Sequence, residues 1–161
     1  MIEKIKIYKS LVYILLLVII GSSCIKNETC LPANNTLTAE IYNITDTTEL
    51  ALYKVDSLSL FISGREDTLY KNVKSINSFS IPMADTAKEL ILVIHLNDGH
   101  DTIWIDYTPY KEFRSTECGI INKYLINSVN YSHDKIEVIS VNNNQIDESE
   151  EINLLLLYRA I

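Results

Sequence analysis

The side chains of this chain that could carry chemistry are three histidines, nine aspartates and ten tyrosines. Zinc takes three or four ligands from His, Cys and carboxylate at short spacings. His95 falls within an aliphatic run, His100 at a turn and His133 in a loop, with no two at a ligand spacing. Asp98 and Asp101, beside Asn97, offer oxygen ligands of the kind calcium uses. They lack the alternate-position spacing and the final bidentate Glu of a twelve-residue calcium loop, and turn formation accounts for them. The acidic patch Asp147 to Glu151 reads as a solvated turn that could hold calcium only loosely. There is no Gly-x-Ser-x-Gly elbow, and four glycines leave little backbone for a phosphate-cradling loop. No catalytic residue, metal or cofactor is assigned, and the expected class is non-enzymatic.

Aromatic rings stack on sugars, so the tyrosines and Trp104 raise carbohydrate binding as a second class. Tyr42, Tyr53, Tyr107, Tyr124 and Tyr158 fall in strand patterns and serve a core. Tyr107, Tyr110 and Phe113 form the one local aromatic cluster near a loop and are the candidate ligand contacts.

The elements that position these residues follow from hydrophobic period. Leu37, Ala39 and Ile41 alternate with polar residues, as on a half-buried strand. Leu58, Leu60 and Ile62 repeat the pattern within 55–63, followed by a turn over 64–67, a short strand over 68–71, and Phe79 and Ile81 ahead of Pro82. Residues 90–96 are nearly all apolar, which predicts a central strand covered on both faces. Residues 97–100 place Asp-Gly at the centre of a tight hairpin, and Ile103, Trp104 and Ile105 return. Residues 110–115 read as a further edge strand. Residues 120–131 fit helix or strand by spacing; Asn122, Asn127, Ser128 and Asn130 are poor helix formers and favour strand. Alternation at 135–142 and an apolar run at 152–158 close the chain. Eight or nine short strands without an amphipathic helix predict an all-β, antiparallel β sandwich, immunoglobulin-like or similar, with a barrel as the alternative.

The N-terminus sets where this domain works. Lys4, Lys6 and Lys9 precede the apolar run Leu11 to Ile20, then Gly21, Ser22, Ser23 and Cys24. A cationic start, a short apolar run and small residues form a secretory signal, and the run is shorter than the roughly 20 residues that span a bilayer. With cysteine directly after Gly-Ser-Ser, it resembles a bacterial lipoprotein signal, which implies a lipidated Cys24 as the mature N-terminus. The alternative is that residues 1–23 stay attached as an anchor and Cys24 is an ordinary thiol. The expected organisation is a signal peptide over 1–23, a lipidated N-terminus and tether over 24–35, and one domain over 36–161. Losing Lys4, Lys6, Lys9 and Glu3 takes the formal net charge from −7 to about −9, a surface that repels nucleic acid and anionic lipid. With Cys24 acylated, Cys30 and Cys118 remain as an even pair in an oxidising compartment and read as one disulfide.

Cys24, the second cysteine Cys30 and the late Cys118-Gly119, within a β-rich domain of this length, resemble a family of uncharacterised lipoproteins of the Gram-negative cell envelope. The resemblance implies a lipid-anchored protein, most simply at the outer membrane, and implies no activity. Five of the nine aspartates precede Ser or Thr and then a small or apolar residue, presenting Thr47, Ser57, Thr68, Thr86 and Thr102. This pattern is similar to an O-glycosylation sequon of exported proteins in that bacterial group, and it is equally how a turn hands over to a strand. Asn27, Asn34, Asn43 and Asn130 head Asn-x-Ser/Thr triplets, which matter only in a eukaryotic host. The expected partners are the membrane, through the lipid, and an envelope protein or glycan. A structural or interaction module is the first reading; a binder of glycan or calcium is the second.

Overall fold

The structure is a computed structural model that describes residue 30 and residues 35–44, 50–97, 99–149 and 151–159. The signal segment, Cys24, Thr47 and Asp98 lie outside these residues. Among the described residues there are eleven strands and no helix: β1 Thr36–Ile44, β2 Leu50–Leu52, β3 Leu58–Ile62, β4 Thr68–Val73, β5 Ser78–Pro82, β6 Glu89–Leu96, β7 Gly99–Ser115, β8 Gly119–Tyr131, β9 Ile136–Val141, β10 Gln145–Ile146 and β11 Leu154–Tyr158. One sheet runs β2-β1-β11-β9, with β5 also on β1; the other runs β10-β8-β7-β6-β3-β4. The expected all-β sandwich is the observed architecture. The count exceeds eight or nine because β2 and β10 have only three and two residues, too few to show alternation.

Alternation builds the core. Leu37, Ala39 and Ile41 of β1, Phe79 and Ile81 of β5, and Leu154 and Leu156 of β11 form the inner face of the first sheet. Leu58 and Leu60 of β3, Leu92 and Ile94 of β6, and Ile103 and Ile105 of β7 belong to the same buried cluster from the second. Removing such a side chain costs its transfer free energy plus a cavity, about 2–5 kcal/mol for Leu or Ile to Ala.

Four local features differ from the sequence expectation. First, β1 and β11 run parallel, Ala39 opposite Leu154, whereas every other strand pair is antiparallel. The apolar character of β11 fits this position, with β1 on one side and β9 on the other. Second, residues 110–115 continue β7 rather than forming a strand of their own, because β8 pairs with β7 along its whole length. Third, Leu96 pairs with Gly99 and His95 with His100, so Gly99 and His100 already belong to β7, whereas the sequence pattern places them in the turn. Asn97 takes the positive φ of 54°, a conformation asparagine tolerates well. Its side-chain oxygen accepts the backbone N–H groups of Asp56 and Ser57, which fixes the turn against β3.

The fourth difference matters most for function. Leu90, Leu92, Ile94 and Leu96 of β6 are buried, but Ile91 and Val93 are only half-buried and His95 is exposed. A near-continuous apolar run therefore does not mean two covered faces here: one face is core and the other is partly open to solvent.

Candidate ligand-binding face

An antiparallel sheet with one solvated face normally alternates apolar inward with polar outward. The outward positions of β3, β6 and β7 depart from that rule. Register places Phe61 beside Val93 and Val93 beside Thr102; Ser59 beside His95 and His95 beside His100; and Ile91 beside Trp104. Phe61 and Trp104 are 37% and 36% exposed. Phe61 meets the edge of His95 at 5.6 Å between ring centroids, and His95 stacks on His100 at 5.7 Å. Two strand spacings and a two-residue offset put Phe61 and Trp104 about 12 Å apart. Apart from the two histidines, these rows carry no ionisable side chain; the next outward row, Glu89 beside Asp106, carries two carboxylates.

Strand pairing makes this face, and linear spacing did not reveal it. His95 and His100 are five residues apart with a turn between them, yet the hairpin brings them directly opposite. Trp104 sits nine residues from His95, and Phe61 more than thirty. The signal that was available was the apolar pair Ile91 and Val93 at alternate positions to an already complete core set.

The residues expected to bind ligand are not brought together. Tyr107 is buried, and its hydroxyl donates to the Ala84 carbonyl at 2.9 Å. It lines a cavity of about 260 Å³ with Ile62, Ala87 and Leu90. Pairing of Tyr107 with Ile126, Pro109 with Tyr124 and Phe113 with Ile120 puts Tyr107 and Phe113 on one face of β7, while Tyr110 lies on the other. Phe113 is solvent-exposed and distant from that cavity along the strand.

Each described aspartate of the calcium reading has other work. Asp101 is buried and accepts from Ser132 Oγ and the N–H of Asp134 through Oδ1, and from the N–H groups of Lys135 and Ile136 through Oδ2, all at 2.8–2.9 Å. Among the described residues no group of three or more His, Cys, Asp or Glu is placed to hold a metal ion. In the acidic patch, Glu148 pairs with Arg114 and Glu151 accepts from Asn143. Of the candidate O-glycosylation hydroxyls, Thr86 is exposed in the β5–β6 loop, Ser57 donates to Asn72, and Thr68 and Thr102 flank the Phe61–Val93 row.

A second polar cluster lies at the end of the sandwich. The Tyr124 hydroxyl donates to Asp85 Oδ1, and Asn122 Nδ2 donates to Asp85 Oδ2 at 2.6 Å. Burial, and then the Asp85 hydrogen bond, push the Tyr124 phenol well above the usual tyrosine range. Burial raises Tyr107 as well. The folded chain holds these protons to higher pH than the unfolded chain does. Their stabilisation is therefore complete below pH about 10, the unperturbed tyrosine value, and is lost as pH rises through the folded value. Tyr124→Phe is expected to cost about 1 kcal/mol at neutral pH and to flatten the loss of stability above pH 10. Urea denaturation at neutral and alkaline pH measures this; an alkaline slope unchanged in the variant would refute the assignment to Tyr124.

Residues 57–158, which include the outward-facing strands, match the profile of a family of unknown function, DUF6452. The chain belongs to that family. The DUF6452 match opens just before β3 and ends with β11, so it includes the whole six-stranded sheet and the Phe61, His95, His100 and Trp104 face. No curated protein and no solved structure matches the chain significantly. Cys30 and Cys118 are disulfide-bonded, in keeping with the cysteine arithmetic.

Proposed function

We propose that this DUF6452 chain is a lipid-anchored, non-enzymatic module of the cell envelope that binds a glycan strand on the outer face of its six-stranded sheet. The observation that carries the reading is the outward aromatic pair Phe61 and Trp104, which stand about 12 Å apart, flanked by the hydroxyls of Ser59, Ser63, Thr68 and Thr102 and bounded at one end by Glu89 and Asp106. Flat exposed aromatics suit the apolar faces of pyranose rings, and flanking hydroxyls suit their polar edges. The lipobox-like Gly-Ser-Ser-Cys24 supports attachment to a membrane of a Gram-negative envelope, the outer membrane in this reading. Asp101, the one buried carboxylate among the described residues, is saturated by four structural donors, and the exposed Asp85 accepts from Tyr124 and Asn122; the reading assigns neither a catalytic step.

Trp104→Ala is expected to weaken binding to isolated envelope polysaccharide by about 2 kcal/mol, roughly 30-fold, as for a central aromatic anchor. Phe61→Ala should follow with a smaller loss. Tyr110→Ala, on the same side of β7 but six residues, roughly 20 Å, beyond Trp104, should change nothing. Affinity electrophoresis or calorimetry against envelope polysaccharides reads all three. Equal binding by the Trp104 and Phe61 variants would rule out this face as the glycan site. Loss in the Tyr110 variant alone would return the site to the 107–113 segment.

A further inference from the structure

Beyond its pairing with β6, β7 continues with β8 as a two-stranded ribbon. The β6 ladder stops at Asp106, and β10 touches β8 only at Tyr124 and Leu125. The ribbon is held at its base by the Asn122–Asp85 hydrogen bond and higher up by Arg114–Glu148 at 2.6 Å. Near its tip, Phe113 pairs directly with Ile120, and the two are 64% and 67% exposed. They are the most exposed large apolar residues among those described. The core face of the sandwich, through Tyr107 and Ile126, then Pro109 and Tyr124, then Lys111 and Asn122, runs out into this uncovered pair.

The position of the tip says what meets it. Cys118 is in the tip turn and is disulfide-bonded, as is Cys30. Six residues separate Cys30 from Cys24, a reach of at most about 20 Å. A chain acylated at Cys24 therefore confines the tip to within that distance of the lipid headgroups. In an acidic protein, the ribbon and its partner balance in charge, with Lys111, Arg114 and Lys123 against Glu112, Glu117 and the Glu148 that pairs with Arg114, so the tip is repelled by an anionic surface less than the chain as a whole. A Phe and Ile pair alone is too small to hold a protein on a bilayer. Tethered at this range it needs only a weak preference, because the anchor has already supplied the effective concentration.

We infer that the β7–β8 tip is a membrane contact, with Phe113 and Ile120 seated in the interface of the bilayer that holds the lipid anchor. This rests on the lipid-anchored reading above.

The test is made on the full chain extracted with detergent from its native membrane, carrying Phe113→Trp in a Trp104→Phe background, so that the introduced indole is the sole tryptophan. It is reconstituted into vesicles of phosphatidylethanolamine and phosphatidylglycerol containing lipids brominated along the acyl chain. Intact mass reports acylation of Cys24, and flotation reports attachment. Quenching of the introduced indole with a blue-shifted emission, abolished when Cys118→Ser releases the tip, is the expected result. A chain that is acylated and floats, but whose indole emits as in water and is not quenched, overturns the tip contact and leaves the anchor intact. A chain without acyl mass overturns the anchor reading, and the tip contact with it. Phe113→Asp with Ile120→Asp, acylated and floating, should lose protection of residues 112–121 from limited proteolysis on vesicles. Protection equal to the parent's would also overturn the contact.

Discussion

Replacing Asp101 with alanine is expected to lower the unfolding free energy by roughly 3–5 kcal/mol, from four lost hydrogen bonds to a charged acceptor and their stranded donors. Asp101 lies on β7, and its partners are Ser132, Asp134, Lys135 and Ile136, the stretch that carries the chain from β8 in one sheet to β9 in the other. Three of those donors are backbone N–H groups, and His133 among them takes a positive φ of 62°, a conformation the loop adopts while wrapping the carboxylate. Alanine leaves these donors facing an apolar gap. Asparagine should do nearly as badly, since its NH₂ would point at two N–H groups where an oxygen now accepts. Asp134→Ala, which removes an exposed side chain and keeps the backbone N–H, should change stability by less than about 0.5 kcal/mol. Urea denaturation of the three variants is the measurement. An Asp101→Ala variant within about 1 kcal/mol of the parent would show that water replaces the carboxylate, and that the crossing is held by the sheets alone.

Asp101 also shows what a linear reading can and cannot see. Its sequence neighbourhood marked a turn over 97–100; the chain reverses between β6 and β7 there, but Gly99 to Asp101 are already paired in β7. That the same carboxylate closes a loop more than thirty residues away depends on β7 pairing with β8, which no local pattern specifies. The core was legible because period-two alternation is local: Leu37, Ala39, Ile41, Phe79 and Ile81 face inward as the pattern requires. The outer face was not, for two reasons. The run 90–96 reads the same whether its second face is covered or open, and only lateral register brings Phe61, His95 and Trp104 into neighbouring rows. The parallel β1–β11 pair was hidden for a related reason, since direction of pairing leaves no mark on composition. Tyr107, Tyr110 and Phe113 looked clustered because they are close in sequence, but alternation sends Tyr110 to the opposite face, and burial removes Tyr107 from solvent.

Reducing the disulfide, or replacing Cys118 with serine, is expected to cost about 4 kcal/mol. The loop closed between Cys30 and Cys118 encloses strands β1 to β7, most of both sheets. In the chain-entropy treatment, a loop of that length restricts the unfolded state by roughly 4–5 kcal/mol. For a domain of this size that corresponds to a fall in melting temperature of roughly 10 °C or more. Thermal unfolding with and without reductant measures it, and a melting temperature unmoved by reduction would mean that the oxidised chain gains nothing from the closed loop. The bond should also do something that stability does not report. Trp104 lies nine residues from Phe113 on the same strand, up to about 30 Å along β7. If the chain is acylated at Cys24 as proposed, a tip tied to residue 30 would favour one end of the sandwich facing the bilayer and would hold the Phe61 and Trp104 face away from it. The Cys118→Ser variant, kept well below its melting temperature, should thus bind polysaccharide in solution as tightly as the parent does. On vesicles it should lose the contact of Phe113 and Ile120. Stability and orientation are separable consequences of one bond, and that pair of results would separate them.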